Sequence, residues 1–249
     1  MTKYLPLRLK TVISCKGMKK AVFVQMLMCI SLVTAAQTNK DQEKNNYLIP
    51  VDKEQERAIY QDDLSLFLYA VEKNRLLIPS NATFGVVFTP SLFCESSITY
   101  DTQRRLLMYT VVDDKKSIWG CVYDATTVVE DGIERTLTKA KNYKAPKTKT
   151  YSLTISYEAS KHLVDLWAAA IGTARPSQSN QTILDGTGRE FFIDGKFART
   201  QRGSIKDGRI FQLLILIEDL RQAIKEGDSV HSERICQESV SLTKEFDHR

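Results

Sequence analysis

The residues most able to do chemistry are carboxylates set beside turns. Glu95 closes Pro90-Ser91-Leu92-Phe93-Cys94-Glu95, ahead of a strand-like run. Asp185 sits in Leu184-Asp185-Gly186-Thr187, ahead of an aromatic run. Two acids flanking a glycosidic bond can act as general acid and as base or nucleophile at separations of about 5 to 9.5 Å. Glu95 and Asp185 are therefore the candidate catalytic residues for a hydrolase of cell-wall or glycan material, with Asp194 as a further acid. Each also has a structural reading. Glu95 can pair with Arg104 or Arg105, and Asp-Gly-Thr is turn chemistry in which the side chain bonds nearby backbone. Trp119 and Trp167 could stack on a sugar, but Trp167 falls on the apolar stripe of a helix and reads as core.

Other chemistries lack their residues. No phosphate-cradling G-x-x-x-x-G-K-[ST], G-x-G-x-x-G, H-E-x-x-H or G-x-S-x-G occurs. Three histidines (His162, His231 and His248) are a thin supply of general bases. They are scattered, and no Cys-x-x-Cys accompanies them, so neither a metal nor a cofactor is expected. Cys94, Cys121 and Cys236 follow the N-terminal region; if any two bridge, Cys94 and Cys121 are the favoured pair, and otherwise they read as small buried hydrophobes. Lys139, Lys141, Lys144, Lys147 and Lys149 form a basic cluster. They fit an anionic surface such as a phospholipid headgroup, or a solvated connector between two strands.

The elements that would position these residues follow from periodicity. Asp52 can cap a helix running to about Asn74. Strands are expected at Phe84–Phe88, Ser96–Tyr100, Leu106–Val112, Ser117–Tyr123, Arg135–Lys141 and Lys149–Ile155, with a hairpin over the polar DTQRR loop. Ser156 caps a helix from Tyr157 to about Ala174, in which Leu163, Val164, Trp167, Ala170 and Ile171 recur at helical spacing. Asp194-Gly195 between two aromatic runs is a two-residue hairpin signal. A last helix runs from Arg209 to Glu226, with Phe211, Leu214, Ile217, Leu220, Ala223 and Ile224 on one side and Gly227 as its stop. Residues 228–249 read as a polar, frayed tail. Strands arriving as hairpins rather than alternating with helices indicate an α+β fold, with an antiparallel sheet and two or three helices on one face.

The front end speaks to address. Lys3, Arg8, Lys10, Lys16, Lys19 and Lys20 precede an uncharged apolar run, Ala21–Ala36, ending in small residues. A cationic head, a short apolar core and a small-residue end make a secretory signal, with Met18 an alternative start. The run is shorter than the roughly 20 residues of a spanning helix. The expectation is cleavage near Ala36, a polar linker over 37–51, a single domain over 52–227 and a periplasmic or secreted location. The formal charge of +5 then falls to −1, with 29 basic residues against 30 acidic ones. That removes the positive footprint a nucleic-acid partner requires.

The arrangement of Phe88-Thr89-Pro90-Ser91 through Glu95, Ile118-Trp119, Leu166-Trp167 and Leu184-Asp185-Gly186-Thr187 resembles uncharacterised exported proteins of Gram-negative envelopes. The resemblance implies location and a single-domain architecture, and no mechanism. The leading functional expectation is a non-enzymatic envelope protein that binds another protein or a glycan, with no stable membrane anchor after cleavage. The competing one is the carboxylate hydrolase.

Overall fold

Nine residues rich in β-branched and aromatic side chains, Ala82–Pro90 (β2), form the middle of the molecule, and Phe84 to Val87 are buried on both faces. A continuous apolar run of this kind suits a strand covered on both sides. A computed structural model describes residues 47–91, 93–176, 187–200 and 208–247. All fall within one unit, Lys44–Arg249.

Eight further strands follow from the same logic: Ile49–Pro50 (β1), Ser96–Asp101 (β3), Leu106–Val112 (β4), Thr127–Glu130 (β5), Ile133–Thr136 (β6), Thr148–Thr154 (β7), Thr187–Ile193 (β8) and Lys196–Arg199 (β9). Seven build one sheet in the order β1-β9-β8-β2-β3-β4-β7, antiparallel at every pairing. The β5–β6 hairpin stands apart. The Asp194-Gly195 turn forms as expected, with φ of 46° and 76°, the doubly positive geometry of a tight hairpin. Lys149–Ile155 pairs with β4 rather than with the Arg135–Lys141 stretch, of which only Arg135 and Thr136 are in a strand.

Six helices complete the fold: Lys53–Gln61 (α1), Leu64–Leu77 (α2), Ile118–Thr126 (α3), Tyr157–Gly172 (α4), Gly208–Glu226 (α5) and Ser229–Asp247 (α6). Three of them, α4, α5 and α6, share the large core with one face of the sheet, so the α+β expectation holds. The core runs through Phe84, Ile98, Tyr100, Leu107 and Phe191 on the strands and Trp167, Leu213, Ile217 and Phe246 on the helices. The opposite face carries a second, thinner layer. There Leu77 of α2 and Ile118 and Val122 of α3 meet Val87, Val112 and Phe192.

Gly85 fixes how closely these layers approach. A Cβ there would lie 2.4 Å from the carbonyl oxygen of Ile98 and 2.9 Å from the Phe192 ring. Its own carbonyl accepts the Trp167 indole N–H at 2.9 Å, so Trp167 is core, with its one donor satisfied.

Four segments differ from the sequence reading. The helix expected over 52–74 is two helices, because Asp63 stops the first and caps the second by accepting from Ser65 N (2.8 Å) and Leu66 N (3.1 Å). Of the Ser117–Tyr123 stretch, Ile118–Tyr123 is helical, and Ser117 is the extended cap before it. Its local β propensity is overridden by caps from Ser117, which accepts from Gly120 N at 3.0 Å, and from Glu95. The end of the supposed linker is in the fold, since Leu48 is fully buried and Ile49–Pro50 pair with β9. The supposed polar tail is α6. Asp228 accepts from His231 N (2.9 Å) at its start, and Ile235, Cys236, Ser239, Leu242 and Phe246 bury one stripe against α4 and α5.

Candidate functional site

Neighbouring residues on a strand point to opposite faces, and β8 puts Arg189 and Glu190 on opposite sides of the sheet. Glu190 faces the α1 side. Its carboxylate meets Lys53 Nζ at 2.8 Å and lies 4.0 Å from Lys73 Nζ. Lys53 also sits 4.7 Å above the Phe197 ring and binds Glu56 at 3.1 Å. Burial opposes the Lys53 charge, but Glu190 and Glu56 outweigh it and raise its pKa.

Arg189 faces the other way, into an open cleft of about 620 Å³ between the sheet and α5. Phe88 and Pro90 of β2, Ser96 of β3 and Tyr109 and Val111 of β4 form its floor, and Phe93 and Cys94 stand on the β2–β3 connection. The helix supplies Phe211, Leu214, Ile215, Glu218 and Arg221. Register explains the convergence: Arg189 is paired with Phe88, Phe88 with Ser96, and Ser96 with Val111. On α5 the spacing 211, 214, 218, 221 keeps one stripe beside the cleft. The adjoining stripe of Ile210, Leu213, Ile217, Leu220 and Ile224 fills the core.

The two guanidiniums are unequally served. Arg221 donates through Nη2 to Glu218 and through Nη1 to the Tyr109 hydroxyl at 3.5 Å, and its Nε is buried without a hydrogen-bond partner. Arg189 donates Nη1 to the Thr187 carbonyl at 3.4 Å. Among the described residues, no carboxylate lies in ion-pair contact with it. Burial lowers the Arg189 pKa, and the charge of Glu218 offsets this only in part. A partly desolvated cation against apolar and aromatic walls is unfavourable until an anion joins it.

The expected catalytic acids do not assemble here. Glu95 is 2% exposed, and its carboxylate accepts from Ile118 N (2.8 Å) and Trp119 N (3.1 Å), so it caps α3. It does not pair with Arg104 or Arg105, because the β3–β4 loop lies at the other end of β3 and Arg104 sits beside Asp101 instead. Asp194 is level with the Phe84 end of β2 and Glu95 with the Pro90 end. About six residues of strand, on the order of 20 Å, separate them. Asp185 lies outside the described residues. Glu218 is the one acid among the described residues lining the cleft.

Comparison with family models, curated proteins and solved structures finds no match to this chain.

The remaining candidates have local explanations. Among the described residues, no group of three or more His, Cys, Asp and Glu could hold a metal, and no helix is long and apolar enough to cross a membrane. The three thiols are free. Cys236 is buried and pushed up to about 12 by its surroundings. Burial also raises Cys94 and Cys121, both half-buried. The five lysines are exposed on and before edge strand β7, where charged side chains discourage another strand from adding to the sheet. Their loop is pinned by Pro146, which is buried, and by the Tyr143 hydroxyl donating to Glu72 at 3.1 Å.

Arg189, Arg221 and the aromatic floor were missed by sequence reading. A usable signal existed. Seven of the eight residues Ile210–Ile217 are apolar, more than one helix face can bury, so a second apolar surface beside the core was implied.

Proposed function

We propose that this chain is an exported, non-enzymatic binding protein that holds a small ligand in the cleft between α5 and the sheet. The observation that carries the reading is the cleft itself: concave, about 620 Å³, mostly apolar, with a few polar groups converging on it. Ligand sites have this character and fall between about 300 and 1,000 Å³. Hydrolysis by paired carboxylates has less support, because Glu95 is engaged in a cap and is far along the sheet from Asp194. Export rests on the cationic, apolar and small-residue order of the first 36 residues.

Titration of the full chain with the neutral apolar fluorophore N-phenyl-1-naphthylamine tests the cleft. One saturable site is expected, lost in Leu214→Trp, whose indole would fill the cleft. Equal binding by both proteins would reject the cleft as the site. N-terminal sequencing of the protein from its host tests export, with a start at residue 36 or 37 expected. A chain beginning at Met1 or Met18 would reject it.

A further inference from the structure

The α5 cleft reads as a small-ligand site, and its charge distribution identifies the class of ligand. We infer that the cleft takes an anionic amphiphile, a carboxylate with an apolar body, whose head group is bound by Arg189 with Arg221 beside it and whose body lies on Phe88, Tyr109 and Phe211.

Three observations carry this. First, Arg189 is the poorly compensated charge of the site: one long hydrogen bond to a backbone carbonyl, and no carboxylate in contact among the described residues. Guanidinium presents donors in a planar fork that a carboxylate meets with two parallel hydrogen bonds. Second, Glu218 neutralises Arg221 and contributes only part of what Arg189 needs. With two cations and one anion among the described lining residues, the site is one negative charge short of balance. Third, the lining is otherwise largely apolar and aromatic, with Phe88, Pro90, Tyr109, Val111, Phe211 and Leu214, and among the described residues its further polar side chains beside the charged ones are Ser96, Thr187 and Cys94. Tyr109 is itself oriented by Arg221, whose guanidinium lies 5.7 Å from the centre of its ring. The cation end of the cleft is therefore fixed by a Glu218–Arg221–Tyr109 chain, leaving Arg189 to meet the incoming head group.

The inference rests on the cleft being a binding site, and the test separates the two. Calorimetric titration of the full chain with dodecanoate and, in parallel, with dodecanol compares ligands of equal chain length that differ in charge. One dodecanoate should bind per protein, at least about tenfold more tightly than dodecanol, as expected for a charge-assisted pair. Arg189→Met should erase that preference by weakening dodecanoate binding about tenfold, and Arg189→Lys should restore part of it. Equal affinity for the two ligands overturns the anion inference and leaves the cleft reading standing. Failure of both ligands to bind folded protein overturns the cleft reading itself. Circular dichroism of each variant establishes that it is folded.

Discussion

The two faces of the central sheet handle charge in opposite ways. On the α1–α3 face every buried or half-buried acid described above has a partner: Glu95 holds the first N–H groups of α3, Glu190 holds Lys53 through Oε2 with its Oε1 left 4.0 Å from Lys73, and Glu72 meets Arg75 Nη2 at 2.6 Å and the Tyr143 hydroxyl at 3.1 Å. On the α4–α6 face the interior is almost wholly apolar, and charge is confined to one corner, where Arg189 is under-compensated. Charges engaged within the protein hold it together. A charge left short of partners at a cleft is available to something from outside.

The comparison breaks if the two kinds of charge respond alike to deletion. The largest effect is expected in the apolar layer. Trp167→Ala should cost about 3 to 5 kcal/mol, because it empties a fully buried site between Phe84 and Phe191 and removes the hydrogen bond to the Gly85 carbonyl. Chemical denaturation measures this, and a loss below about 1 kcal/mol would mean that the face is not packed as described. Gly85→Ala should cost about 1 to 3 kcal/mol through the Ile98 and Phe192 contacts.

Next comes Glu95→Ala, which leaves two N–H groups of α3 unpaired and should cost about 1 to 3 kcal/mol without altering binding in the cleft. A hydrolase reading would instead require loss of a reaction with stability intact. Arg189→Met is the opposite case. Replacing an under-compensated, partly buried cation by an apolar side chain should leave stability within about 1 kcal/mol of the parent, or raise it. A substantial loss of stability in this variant would show that Arg189 is structural, and the contrast between the faces would fall.

Much of the fold was legible because local signals and tertiary packing agree. The Asp194-Gly195 hairpin, the Ser156 cap and the stripe of Leu163, Trp167, Ala170 and Ile171 each specify their element alone. Ser117–Tyr123 was misread because the group that stabilises its helix, Glu95, is more than twenty residues away in sequence. The stretch after Asp228 looked like a tail because its buried stripe contains Ser232, Cys236 and Ser239, small residues that fit a helix–helix contact but carry little hydrophobic signal. The cleft was harder still. Its residues come from β2, β3, β4, β8 and α5, and only strand register brings Arg189 over Phe88 and beside Glu218 and Arg221. The acids singled out at the start were conspicuous because they sit at turns, and the same property makes Glu95 a cap.

The Cys94 thiol packs against the α2–α3 layer and donates to the Asp114 carbonyl at 3.7 Å, and Cys121 lies outside the cleft, so Cys121 serves as the control for a cysteine placed in the cleft by Leu214→Cys. Burial raises the Cys94 and Cys121 thiols above their ordinary value of 9.0, so their alkylation should keep accelerating as pH rises through that value. Cys236, pushed up to about 12, should react little until the protein unfolds. The decisive measurement is the alkylation rate of the Leu214→Cys thiol at pH 9, read by mass spectrometry with and without dodecanoate at about ten times its dissociation constant for that variant. Occupancy at that ratio should slow the introduced thiol about tenfold while leaving Cys121 unchanged. An unaltered rate at the introduced thiol with dodecanoate bound, or equal slowing at Cys121, would contradict the assignment of the cleft.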